Sequence, residues 1–152
     1  MSLREEINSA LKQAMRDRAA DRLSTLRLIS AAIKDRDIAA RGDGAEDGVG
    51  EDEVLQILSK MVKQRQESAR TYEEGGRLDL AERELNEITV IEEFLPKQLG
   101  ENEIVAAIDA AIAEIGASSI RDMGKIMGAL KAKYTGQMDF GKVGPMVKDR
   151  LG

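Results

Sequence analysis

A C-terminal segment of small and basic residues, 120–134, is the part of the sequence best suited to contact a polyanion. At helical spacing, Gly124, Gly128 and Ala132 fall in one track along one side of a helix. Each glycine inside a helix costs roughly 0.5–1 kcal/mol relative to alanine, so two of them indicate that another backbone approaches closely. Either a neighbouring helix or a nucleic-acid backbone would meet this requirement, and the sequence leaves both alternatives open.

Positive charge borders this glycine track. Residues 116–152 carry seven basic and three acidic side chains, whereas residues 1–99 carry 16 basic and 21 acidic ones. The net charge of −5 opposes a broad phosphate-binding surface, but the uneven distribution favours a local one. The candidate RNA-binding residues line or flank the track: Arg121, Gly124, Lys125, Gly128, Lys131 and Lys133.

A second constellation surrounds Arg65, which lies in the middle of an apolar helical stripe. If two helices form an antiparallel hairpin about Gly75 and Gly76, then Glu84 and Glu87 come close to Arg65. We interpret this group as a structural ion pair that fixes the register of the hairpin; a binding site is the alternative.

The composition excludes most catalytic machinery. The chain contains no cysteine and no histidine, so thiolate nucleophiles, histidine bases and Cys/His zinc sites cannot be built. Paired acids such as Glu92 and Glu93 are common among 28 acidic residues and indicate solvated helix faces. We therefore expect no metal, no cofactor and no catalytic activity of the chain alone. The sequence shows neither a signal peptide nor an apolar run of about 20 residues, so we expect a cytoplasmic protein without membrane association.

The elements that position these residues are predicted to be helices throughout. Apolar residues recur at helical spacing, and only 3% of the residues are aromatic. We predict an all-α protein with an N-terminal domain, residues 1–97, that contains a long helical hairpin. A smaller three-helix domain is expected over residues 98–152, with helices over 101–115, about 118–134 and 139–151.

Several local features can be assigned from the sequence. Asp21 and Asp79 are expected to cap the second and fourth helices, and Ile38 and Leu85 are expected to face the core. The segment 42–50 contains four glycines and three acids, so we expect it to be a mobile loop. The apolar face of the helix that carries the glycine track is expected to comprise Ile120, Met123, Met127, Leu130 and Tyr134.

Several motifs occur in one order and spacing: KQRQES at 63–68, Tyr72, GRLDLA at 76–81, Glu84, LPKQL at 95–99 and DMGKIMG at 122–128. In these motifs, over nearly its whole length, the chain resembles the YqeY (GatB/YqeY) family. The C-terminal part of that family is similar to the tail domain of GatB, a component of the tRNA-dependent amidotransferase, which is a carbon–nitrogen ligase with glutamine as amido-N-donor. In that enzyme the tail helps to hold the tRNA.

The resemblance implies a helical N-terminal domain, a small helical C-terminal domain and an accessory role without catalysis. The implied partners are tRNA and the amidotransferase or tRNA-synthetase machinery, and DNA is not expected. A protein–protein interaction adaptor with no nucleic-acid role is the alternative function.

Overall fold

The computed structural model describes residues 2–152, and this part of the chain is helical throughout. It contains seven α-helices, one short 3₁₀-helix and no strand, which confirms the all-α prediction. The chain divides into two compact units, the first ending at Leu95 and the second comprising Pro96–Gly152. No described helix combines the length and the apolar character that crossing a bilayer requires.

The first unit consists of four helices: α1 (Leu3–Arg16), α2 (Ala20–Gly42), α3 (Glu51–Glu74) and α4 (Leu78–Glu92). The N-terminus of α1 is stabilised by Ser2, whose side chain accepts a hydrogen bond from the backbone of Glu5. Buried residues of the helices and of the loop before α3 form one core: Leu3, Ile7, Ala14, Leu26, Ile29, Ile33, Val49, Val54, Leu58, Met61 and Ile91.

The predicted hairpin is formed by α3 and α4. The chain reverses direction at Gly75 and Gly76, and Gly76 adopts a φ of +75°, a conformation that glycine reaches without a steric penalty. Because the turn is short, the two helices pack along their lengths and bring Arg65 beside Glu87. The local turn chemistry therefore sets the register of the hairpin.

The predicted aspartate N-caps of α2 and α4 are wrong, because each helix begins one residue before its aspartate. Asp21 and Asp79 each occupy the second position of their helix, and the N-cap residues are Ala19 and Arg77. Neither N-cap residue provides a side-chain hydrogen bond to its helix. An acidic residue in the first turn still interacts favourably with the helix dipole, which is why the sequence signal lies near the helix start but not at the cap.

Two apolar residues that were expected in the core are exposed. Ile38 is 59% exposed and Leu85 is 47% exposed. In α2, the inward position at this level is taken by Asp37, whose side chain is only 9% exposed. Ile38 follows Ile33 by five residues, about 140° around the helix, so the helical period itself turns it away from the buried face. The burial of a carboxylate at position 37 requires hydrogen-bond donors around it.

The loop between α2 and α3 is packed at its C-terminal end, so the expectation of a mobile segment over 42–50 is wrong there. Val49 is 5% exposed and belongs to the core. Gly48 adopts a φ of +80°, and a methyl group at this residue would lie 2.4 Å from Asp37 Oδ1. The loop therefore reaches the core through a glycine that lets the backbone pass closely over a buried carboxylate.

The second unit consists of α5 (Glu101–Ile115), a 3₁₀-helix (Ile120–Asp122), α6 (Met123–Tyr134) and α7 (Phe140–Leu151). Asp139 caps α7 by accepting a hydrogen bond from the backbone of Gly141 at 2.9 Å. The core of this unit contains residues from all three α-helices and from the α6–α7 connection: Ala107, Ile108, Ala111, Ile126, Leu130, Met138, Val143 and Val147.

The predicted apolar face of α6 needs one correction. Ile126 is fully buried although it was not assigned to that face, and Ile120 is 48% exposed although it was. Ile120 lies in the 3₁₀-helix, which has three residues per turn, so the 3.6-residue period of α6 does not extend back to it.

Candidate nucleic-acid interface

The glycine track lies on the side of α6 that faces away from its core. Ile126 and Leu130 are the buried residues of α6, and Gly128 lies about 160° from both around the helix. A methyl group built at Gly124 or at Gly128 would meet no described atom within 4 Å. Packing against a neighbouring helix of the described chain therefore does not explain these glycines, and the track is open.

Two of the candidate lysines flank the open track symmetrically. At 100° per residue, Lys125 and Lys131 lie about 60° to either side of Gly128. Arg121 is exposed in the 3₁₀-helix immediately before α6. Among residues 2–152, no carboxylate forms an ion pair with these three side chains. Their positive charges are therefore available to a ligand. We refer to this surface as the outward face of α6, and it comprises Arg121, Gly124, Lys125, Gly128 and Lys131.

The structure does not bring Lys133 to the outward face of α6. Lys133 lies about 140° from Gly128 around the helix, on the far side of the cylinder. Its ammonium group lies 5.6 Å from the centre of the Tyr134 ring, within the range of a cation–π contact. The prediction placed Lys133 with the other lysines because it is close in sequence, whereas the helical rotation separates it from them.

The positive charge of the second unit is confined to a part of its surface. Helix α5 carries four acidic residues and no basic one. One of these acids, Asp109, forms an ion pair at 2.8 Å with Arg150 of α7, so this arginine is neutralised. A polyanion would therefore be repelled by α5 and attracted to the basic side chains of α6 and α7, the latter including the exposed Lys142 and Lys148.

The Arg65 constellation is a partly buried ion pair. Arg65 Nε donates a hydrogen bond to Glu87 Oε2 at 2.8 Å, and Arg65 NH1 donates to the backbone oxygen of Met61 at 3.1 Å. The side chains of Arg65 and Glu87 are 15% and 25% exposed. The pair joins the two helices of the hairpin, so the geometry supports a structural role.

Glu84 lies near this pair but forms no ion pair with Arg65. Burial raises the pKa of Glu84, the negative charge of Glu87 raises it further, and the positive charge of Arg65 opposes both effects. The hairpin thus contains two half-buried carboxylates and one guanidinium, and only one carboxylate is paired.

We expect Glu84→Gln to stabilise the protein by about 0.5 kcal/mol at pH 7, because it removes the repulsion from Glu87 and the cost of burying a charge. The folded-state pKa of Glu84 is raised, so ionised Glu84 destabilises the folded protein above that pKa. Below the ordinary value of 4.5 the carboxyl is protonated in both states, and the advantage of the variant should vanish. Urea unfolding at pH 7 and pH 4 would measure this difference, with Glu82→Gln as the exposed control on the same helix.

A partly buried network that the sequence did not predict connects three parts of the first unit. Arg4 NH1 and NH2 donate to the two carboxylate oxygens of Asp37 at 2.8 and 2.5 Å. The backbone N–H of Val49 donates to Asp37 Oδ1 at 3.0 Å, and Arg4 NH2 also donates to the backbone oxygen of Val49 at 2.9 Å. The hydrogen bond from Arg4 is the largest factor that lowers the pKa of Asp37, from 3.8 to about 2.

Comparison with known proteins identifies a family over almost the entire chain. The model of the family described as Yqey-like protein matches residues 4–151. A curated protein of Lachancea thermotolerans, named Altered inheritance of mitochondria protein 41, mitochondrial, is 31% identical over 105 residues, which cover 69% of this chain and 53% of the relative. Its namesake in Meyerozyma guilliermondii is 39% identical over 87 residues, which cover 56% of this chain and 42% of the relative. The matches thus span about half the length of these relatives.

Proposed function

The chain belongs to the Yqey-like protein family, and from this premise we propose that it is a non-catalytic accessory protein that binds tRNA through the outward face of α6. The observation that carries the proposal is the open glycine track with Lys125 and Lys131 on either side, neither of which forms an ion pair within the described part of the chain. Because the glycines have no side chain, a phosphate backbone can approach the helix closely while the lysines contact its charges.

The resemblance of the C-terminal part to the tail domain of GatB supports tRNA as the class of nucleic acid. A partnership with the amidotransferase or with tRNA-synthetase machinery is part of the same proposal. The names of the two relatives refer to mitochondria, and this location applies to those proteins only. The cytoplasmic location of this chain stays a prediction.

We expect weak, salt-dependent binding of tRNA, because binding to phosphates releases counterions. Lys125→Gln and Lys131→Gln should each lower the slope of log affinity against log salt by about one. Lys133→Gln is the matched control: it removes the same charge from the same helix but on the other side, and it should leave the slope unchanged. Filter binding with bulk tRNA over a series of salt concentrations measures all four proteins.

A further variant separates close approach from charge. Gly128→Leu adds a side chain to an open surface, so the fold should be retained and the retention of tRNA should fall. A wild-type protein that retains no tRNA at low salt would reject the RNA proposal in favour of the adaptor function. An equal effect of Lys125→Gln and Lys133→Gln would reject the outward face of α6 as the binding site.

A further inference from the structure

A small polar cleft lies between α1 and α2 in the first unit, and it shares no residue with the proposed tRNA site. It has a volume of about 230 Å³. Its apolar wall is formed by Ile7 and Ile33. The remaining lining residues are polar or charged: Arg4, Asn8, Ser30, Lys34 and Asp37.

Ser30 contributes a buried hydroxyl that has no hydrogen-bond partner among the described residues. Four helical or helix-terminal threonines each donate to the backbone oxygen of the residue four positions before: Thr25, Thr71, Thr89 and Thr135. Ser30 does not make this local bond, and a buried hydroxyl without a partner is rare in folded proteins. Ser30 lines the cleft, but its Oγ exposes less than 1 Å², so contact with a ligand there requires the hydroxyl to rotate toward the cleft.

Most N–H groups of the two basic side chains in the cleft form no hydrogen bond or ion pair within residues 2–152. Lys34 forms no ion pair with any carboxylate in residues 2–152. Arg4 directs three N–H groups to Asp37 and Val49, which leaves Nε–H and one N–H of NH1 without a partner among residues 2–152. Asp37 provides the negative charge in the cleft, and both of its oxygens already accept hydrogen bonds from Arg4. An anion would thus meet donors and one carboxylate whose charge is compensated.

We propose that this cleft binds a small oxyanion, a phosphate or carboxylate group, held by Lys34, Arg4 and Ser30. A compact anion with several acceptor oxygens matches one ammonium, one free guanidinium N–H group and one hydroxyl; the other free N–H of Arg4 lies on the opposite edge of the guanidinium. The amide of Asn8 at the rim provides an additional donor. The inference is independent of the proposed tRNA function, because its residues belong to the other unit.

Titration of the full chain with inorganic phosphate, followed by heteronuclear NMR at constant ionic strength, tests the proposal. We expect saturable shifts at the backbone amides of Ser30 and Lys34 and at the Nε–H of Arg4. Lys34→Gln should weaken the apparent affinity at least about tenfold, because it removes a charge-assisted hydrogen bond. Lys12→Gln, an exposed lysine of α1 outside the cleft, should not change the affinity. A parallel titration with succinate distinguishes a phosphate site from a carboxylate site.

Ser30→Ala provides a second, uncharged test. Removal of the unpartnered hydroxyl should leave the thermal stability unchanged or slightly higher, and it should weaken oxyanion binding. Shifts that stay linear in concentration, or that are reproduced by chloride at the same ionic strength, would overturn the proposal. So would phosphate binding that Lys125→Gln abolishes and Lys34→Gln leaves intact, since that result places the anion on the outward face of α6 alone.

Discussion

Asp37→Asn is expected to lower the free energy of unfolding by about 2–3 kcal/mol at pH 7. The side chain of Asp37 is 9% exposed, and its two oxygens accept hydrogen bonds from Arg4 and from the backbone of Val49. The shift of its pKa from 3.8 to about 2 corresponds to about 2 kcal/mol in favour of the charged form. An asparagine would keep the shape but lose the charge and part of the accepting capacity.

The pH dependence of this effect has a definite sign. Because the folded-state pKa of Asp37 is lowered, its contribution to stability is complete above pH 3.8 and is lost as the pH falls through about 2. The difference in stability between wild type and Asp37→Asn should therefore close over this interval. Denaturant unfolding at several acidic pH values would measure it.

The control for Asp37 lies two residues away on the same helix. Asp35 is exposed, and Asp35→Asn should change the stability by less than about 0.5 kcal/mol. If Asp37→Asn is equally mild, the network of Arg4, Asp37 and Val49 does not hold the loop to the core. Hydrogen exchange at the Val49 amide offers a second reading, because this N–H donates directly to Asp37 and should exchange faster in the variant.

Arg65→Ala is expected to cost about 2–3 kcal/mol of stability. The substitution removes the partner of Glu87 and the hydrogen bond to the backbone oxygen of Met61, and it removes the positive charge that offsets the repulsion between Glu84 and Glu87. Breaking a fully buried pair costs about 3–5 kcal/mol, and the partial exposure of this pair reduces the expected loss. Thermal or urea unfolding of the full chain measures the effect.

Arg70→Ala is the matched control, since Arg70 is exposed on the same helix and has no ion-pair partner among the described residues. It should alter stability by less than about 0.5 kcal/mol. The double variant Arg65→Met/Glu87→Gln should recover most of the loss, because no unpaired charge then remains at Glu87. If Arg65→Ala lowers the free energy of unfolding no more than Arg70→Ala does, then water solvates the carboxylates of Glu84 and Glu87 as well as Arg65 stabilises them.

The fold class and the hairpin followed from the sequence because both depend on local information. Apolar residues at helical spacing and the scarcity of aromatic residues sufficed to predict helices. Arg65 could be placed near Glu84 and Glu87 in advance because the short turn at Gly75 and Gly76 leaves an antiparallel hairpin few alternative registers. The structure then selected Glu87 as its partner. The glycine track was equally visible, since it depends only on the period of one helix.

The burial of Asp37 could not be predicted in the same way. Position 37 follows Ile33 by four residues and therefore lies on the buried side of α2, whereas Ile38 lies about 140° from Ile33 around the helix. The burial of an aspartate at this position depends on Arg4, 33 residues away, and on Val49, 12 residues away. A carboxylate becomes the inward residue only when those donors have been assembled around it. Such an assembly is a property of the packed structure.

For the candidate binding site, the sequence by itself determined which residues could meet an anion, namely the glycines and basic residues of 121–133. The tertiary structure decided that this side of α6 is open. It left Gly124 and Gly128 uncovered and placed the buried face of α6 so that Lys125 and Lys131 point outward, whereas the separation of Lys133 from them follows from the helical period alone. The physical reason is that helical spacing fixes only the relative angles of side chains, whereas contacts with the rest of the fold determine which angle faces solvent.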